Sequence, residues 1–175
     1  MINPVTRTAD WIEALDRADA PVHPAVDVAV LKDYPVALGG AMNERTVDLL
    51  RELQLMTSDG TDEADQGVAP ELRALAAHTT TSWGDRLSEP NVELRRALEA
   101  GEETADLEYP MVTGMRASVL DYARMMETID DHCRHAALMS LPPTAEVYAL
   151  RRWTVEEFVR QYDGLAPRPW SDRST

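Results

Sequence analysis

Between Gly114 and Ala137 the apolar residues Met115, Val119, Tyr122, Met126, Ile129, Cys133 and Ala136 follow one another in alternating steps of four and three. That spacing keeps one stripe of a long α-helix apolar and is incompatible with the two-residue period of a strand. A second long helix is expected from Thr144 to Asp163, entered after Pro142 and Pro143 and stopped at Gly164. Its apolar residues (Val147, Tyr148, Leu150, Trp153, Val155, Phe158, Val159, Tyr162) occupy more than one stripe, so it is packed by two neighbours or by one neighbour and a partner.

The rest of the chain reads in the same way. Thr8 is placed to cap a helix reaching Ala18, and Thr46, Leu49, Leu50, Leu53 and Met56 give an amphipathic helix over residues 43–57. Residues 24–34 alternate valines as a strand would, but Pro24 and the set Val26, Val30, Leu31 favour a short helix ending before Pro35. The pair Gly39 and Gly40 reads as a turn, residues 58–67 as an acidic loop, and residues 70–86 as a helix. A helix from Ser88 or Asn91 ends at Gly101, and residues 102–112 form a connector along the surface.

The expected fold is therefore all-α, a compact bundle of about five to seven helices with no significant sheet. Residues 1–175 make a single helical domain, with a variable N-terminal part over 1–40 and two long helices plus a Pro-rich tail over 114–170.

Charge narrows the partners. The net charge of −14 argues against nucleic acid and against anionic membranes, both of which are bound through clustered Lys and Arg. No stretch has the length of a membrane span or the apolar core of a signal peptide, and the lone cysteine suits a reducing compartment, so the expected location is cytoplasmic. Among the 17 basic residues only Lys32 is a lysine.

One stretch invites a chemical reading. In "TIDDHCRHAAL", Glu127, Asp131 and His135 share a helix face with His132 nearby, a set that could offer carboxylates and imidazoles to a transition metal. This defines one alternative, a metal-dependent or redox enzyme centred on residues 127–135. Against it, Cys133 falls on the apolar seam, His135 suits the C-terminal end of the helix dipole, and no Glu-x-x-His pair is present. The adjacent acids Asp130/Asp131 and Glu156/Glu157 diverge by about 100° on a helix and read as solvated faces. Phosphate-loop, GxSxG, HExxH and CxxC motifs are absent, so no catalytic residue and no cofactor is expected. A second alternative is a small-molecule sensor with an apolar pocket between the Met- and Trp-bearing helices.

The last third is more distinctive. Leu150, Arg151, Arg152, Trp153, Glu156, Arg160, Gln161, Gly164, Pro167, Pro169 and Trp170, preceded by the acid and cysteine segment "DDHCRH", form a recognisable pattern over residues 115–170. This pattern resembles a helical module of actinobacterial signalling and regulatory proteins that stands beside histidine-kinase-like ATPase or partner-switching domains. No ATPase domain accompanies it within these 175 residues. The resemblance implies a non-enzymatic regulatory or sensory module that binds a protein partner, such as a histidine-kinase-like ATPase or a partner-switching protein. Read physically, the same segment is a docking element whose expected partner contacts are Arg151, Arg152, Trp153, Glu156, Arg160 and Trp170, and whose two-sided last helix leaves a homodimer as a further arrangement. The resemblance brings no catalytic residues.

Overall fold

The computed structural model describes residues 6–17, 19–58, 88–135 and 138–172. Among these residues the chain runs α1 (Thr6–Leu15), β1 (Val28–Pro35), α2 (Val36–Ser58), α3 (Ser88–Ala100), β2 (Thr104–Pro110), α4 (Met115–Arg134) and α5 (Ala145–Tyr162), followed by a short 3-10 turn at Trp170–Asp172. The expected loop over 58–67 (beyond Ser58) and the expected helix over 70–86 lie outside the described residues.

The fold is mostly helical, but the all-α expectation is overturned by an antiparallel two-stranded sheet. The segment expected as a short helix is β1, and the expected connector is β2. Val28 pairs with Pro110, Ala29 with Tyr109, Val30 with Glu108 and Leu31 with Leu107; pairing resumes at Tyr34 with Ala105. The interruption is a bulge in which Asp33 takes a left-handed backbone (φ 51°) and donates its N–H to Asp106 Oδ1 at 2.9 Å. Aspartate tolerates that conformation better than most residues. The extra residue shifts the phase of the strand, so the inward side chains are Ala29, Leu31 and Tyr34. Their spacing of two and then three residues hides the strand's two-residue period.

The glycine pair expected as a turn lies inside α2, where the helix passes close to other groups. A Cβ at Gly39 would sit 2.2 Å from the buried Tyr34 ring, and one at Gly40 would sit 3.0 Å from Leu98 of α3. Glycine is kept there for approach rather than for turning.

The long C-terminal helices follow the sequence punctuation. Thr144 caps α5 by accepting the Val147 N–H, and Gly164 leaves the helix at φ 86°. The apolar stripes of α5 are buried within the chain: Leu150, Trp153, Val155, Phe158, Val159 and Tyr162 join the sheet, α1 and α4 in the main core, and Val147 is buried as well. A smaller core unites Leu49 of α2 with Met125, Met126, Ile129 and Cys133 of α4 and with Leu138 beyond it. No helix among the described residues is long and apolar enough to cross a membrane.

Candidate functional site

Asp130 is a buried carboxylate held by two arginines. It belongs to the buried stripe of α4, one turn before Cys133, and its side chain has no solvent exposure. Arg151 of α5 donates through Nη2 to Asp130 Oδ2 at 2.5 Å, and Arg45 of α2 donates to Oδ1 at 2.9 Å. Three helices thus converge on one carboxylate. A carboxylate in this position needs such partners, because burial removes the water that would otherwise solvate its charge.

Glu127, one turn earlier, completes the group. Its Oε1 lies 3.6 Å from Arg151 Nη2, an ion pair without hydrogen-bond geometry, and both oxygens are buried. Burial pushes the Glu127 carboxyl up from its ordinary range, and the neighbouring Tyr148 hydroxyl and Arg151 offset this only in part. Burial likewise raises the Cys133 thiol, although Arg45 Nη2 approaches its sulfur at 4.0 Å. Burial thus disfavours the reactive thiolate.

The raised Glu127 value has a measurable sign. The folded state holds this proton more tightly than the unfolded chain, so from the ordinary carboxylate range upward the ionised Glu127 lowers stability progressively. Glu127→Gln is expected to gain stability relative to the parent as pH rises from 4 to 8. Urea denaturation of both proteins across that range measures it, and a relative gain in the opposite direction would contradict the assignment.

The four metal-candidate side chains do not converge. Glu127 faces Arg151 in the interior, whereas Asp131 pairs with Arg134 at 2.9 Å on the outer side of α4. The His135 ring places Nδ1 2.8 Å from the Asp131 backbone carbonyl, so it closes the helix end instead of meeting a carboxylate. His132 is half-buried beside them. Among the described residues no three His, Cys, Asp or Glu side chains group as a metal site.

A second clasp surrounds Glu157, contrary to its expected place on a solvated face. It is fully buried: its carboxylate accepts the Arg168 backbone N–H at 2.9 Å and Arg168 Nε at 2.7 Å, and it pairs with Arg160 at 3.3 Å. The Pro-rich tail is thereby fastened along α5. One turn on, Gln161 accepts the Val30 N–H at 2.8 Å and donates to the Val30 carbonyl at 2.9 Å, covering the outer edge of β1.

No protein-family model, curated protein or solved structure matches this chain.

The six residues assigned to partner contact divide by depth. Arg151 is buried on Asp130, and Trp153 is buried between Tyr34 (ring centroids 6.3 Å) and Trp170 (5.4 Å, edge to face). Arg152 is exposed, 2.8 Å from Glu156 and with its guanidinium 5.4 Å from the Trp11 ring centre. Glu156, Arg160 and Trp170 are half-buried. Sequence reasoning missed Arg45, Asp130 and Arg168 as partners in buried pairs. A usable signal was present only for Arg151, a charge set among the apolar residues Val147, Leu150 and Val155 of a helix packed on two sides.

Proposed function

We propose that this chain is a non-enzymatic regulatory or sensory module of bacterial signal transduction or transcriptional control, acting in the cytoplasm by binding a protein partner. The observation that carries this reading is the internal use of its reactive groups. Asp130, Glu127 and Arg151 are committed to ion pairs that join helices, Glu157 to one that fastens the tail to α5, and Cys133 is buried beside the first group. At the surface, Arg152, Glu156 and Arg160 follow one another along α5, and Trp170 of the tail packs edge to face on the buried Trp153. The resemblance of residues 115–170 to a helical signalling module supports a histidine-kinase-like ATPase or partner-switching protein as the partner.

The test begins with the tagged chain crosslinked in its host. One protein is expected in near-stoichiometric yield, and it should rebind when both components are purified. Arg152→Glu should weaken rebinding by about tenfold with little change in melting temperature, because an exposed pair such as Arg152 with Glu156 adds only about 0–1 kcal/mol to stability. Recovery of the chain without a protein but with a metal or organic ligand retained in native mass spectrometry would overturn the reading.

A further inference from the structure

The two edges of the sheet are treated differently. The outer edge of β1 is closed by the Gln161 amide, which bonds both backbone groups of Val30 as another strand would. Because Val30 points its N–H and C=O away from β2, the antiparallel alternation turns those of Ala29 and Leu31 toward their partners Tyr109 and Leu107. The backbone groups of Asp106 and Glu108 therefore face outward on the far edge of β2. Among the described residues no strand and no hydrogen-bonding group meets them.

The side chains on this edge select what can pair with it. Asp106 and Glu108 stand on the exposed face of the strand. Along the strand itself Asp106 and Glu108 are the charged residues, with no Lys or Arg, whereas Glu102 just before it is paired with Arg96 at 3.3 Å. A second copy of the chain docked edge to edge would set its own Asp106 and Glu108 against these carboxylates, and like charges on facing strands repel. A strand with Lys or Arg at alternate positions would meet them with opposite charge while its backbone filled the open edge.

We infer that the outer edge of β2 takes up an extended basic segment of the partner protein as a third strand. The inference rests on the interaction-module reading and adds to it a docking position separate from the α5 surface.

The probe is an acetylated, amidated peptide of alternating Lys and Val with the 7-residue length of β2, titrated into the full chain at about 0.15 M salt. Saturable binding is expected, with amide shifts centred on residues 104–110 and slowed hydrogen exchange at Asp106 and Glu108. A Glu–Val peptide, and a Lys–Val peptide N-methylated on its bonding edge, should each bind at least about tenfold more weakly. So should the parent peptide toward Asp106→Asn/Glu108→Lys, a variant that keeps the Asp106 Oδ1 acceptor for the Asp33 N–H. Equal binding of the N-methylated peptide would reduce the effect to bulk charge and overturn the inference. Absence of saturable binding, or self-association through β2, would do the same. None of these results touches the Arg152-dependent rebinding, so the two readings fail separately.

Discussion

Asp130→Ala is expected to lower the free energy of unfolding by about 3–5 kcal/mol, the usual cost of removing one partner from a buried ion pair. The cost arises from what is left behind. Arg151, almost fully buried, loses its 2.5 Å acceptor, and Arg45 loses its 2.9 Å one, so two guanidinium groups are left without the carboxylate that joined them, and Arg151 keeps only the longer contact to Glu127 among the described residues. Glu127 cannot take over in place, because it is 3.6 Å from Arg151 and burial already disfavours its charge. Urea denaturation followed by circular dichroism measures the loss. In a double-mutant cycle, Asp130→Ala and Arg151→Ala should be strongly non-additive, since either change alone strands the other group. A cost below about 1 kcal/mol for Asp130→Ala would mean that the carboxylate is solvated, contrary to its burial.

The legible parts of this fold are those decided by neighbours in sequence. The seam from Met115 to Cys133 appears as α4 because a three-and-four spacing survives any tertiary context, and α5 begins and ends where Pro142, Pro143, Thr144 and Gly164 place it. The sheet was hidden for two reasons. The β1 bulge breaks the two-residue period at Lys32 and Asp33, and the paired residues of the two strands lie 69 to 82 positions apart, so no local signal announces the pairing. The site was hidden similarly. That Glu156 and Glu157 point in different directions was a sound deduction, but only the tail folding back shows that one of those directions is interior. Arg45, at the edge of an ordinary amphipathic helix, carries no mark of its pairing with Asp130.

The second large effect is at Trp153, the residue whose placement most alters how the interaction reading must be tested. Trp153→Ala is expected to cost about 3–5 kcal/mol, as for other buried aromatic truncations. The indole is 4% exposed and stands between Tyr34, whose ring covers Gly39, and Trp170 on the tail. Its removal opens a cavity where β1, α2, α5 and the tail meet. Trp170→Ala should cost less, because that ring is half-buried, and the cycle between the two should show about 0.5–1.5 kcal/mol of coupling from the edge-to-face pair. Arg152→Ala, one residue before Trp153 but exposed, should stay within about 0.5 kcal/mol of the parent. Denaturation of the four variants decides the matter, and a Trp153→Ala protein as stable as the parent would place this ring outside the core. If the costs fall as expected, loss of partner binding on changing Trp153 or Arg151 would report a loosened core. Arg152, one position away, is then the residue at which binding can be tested with the fold intact.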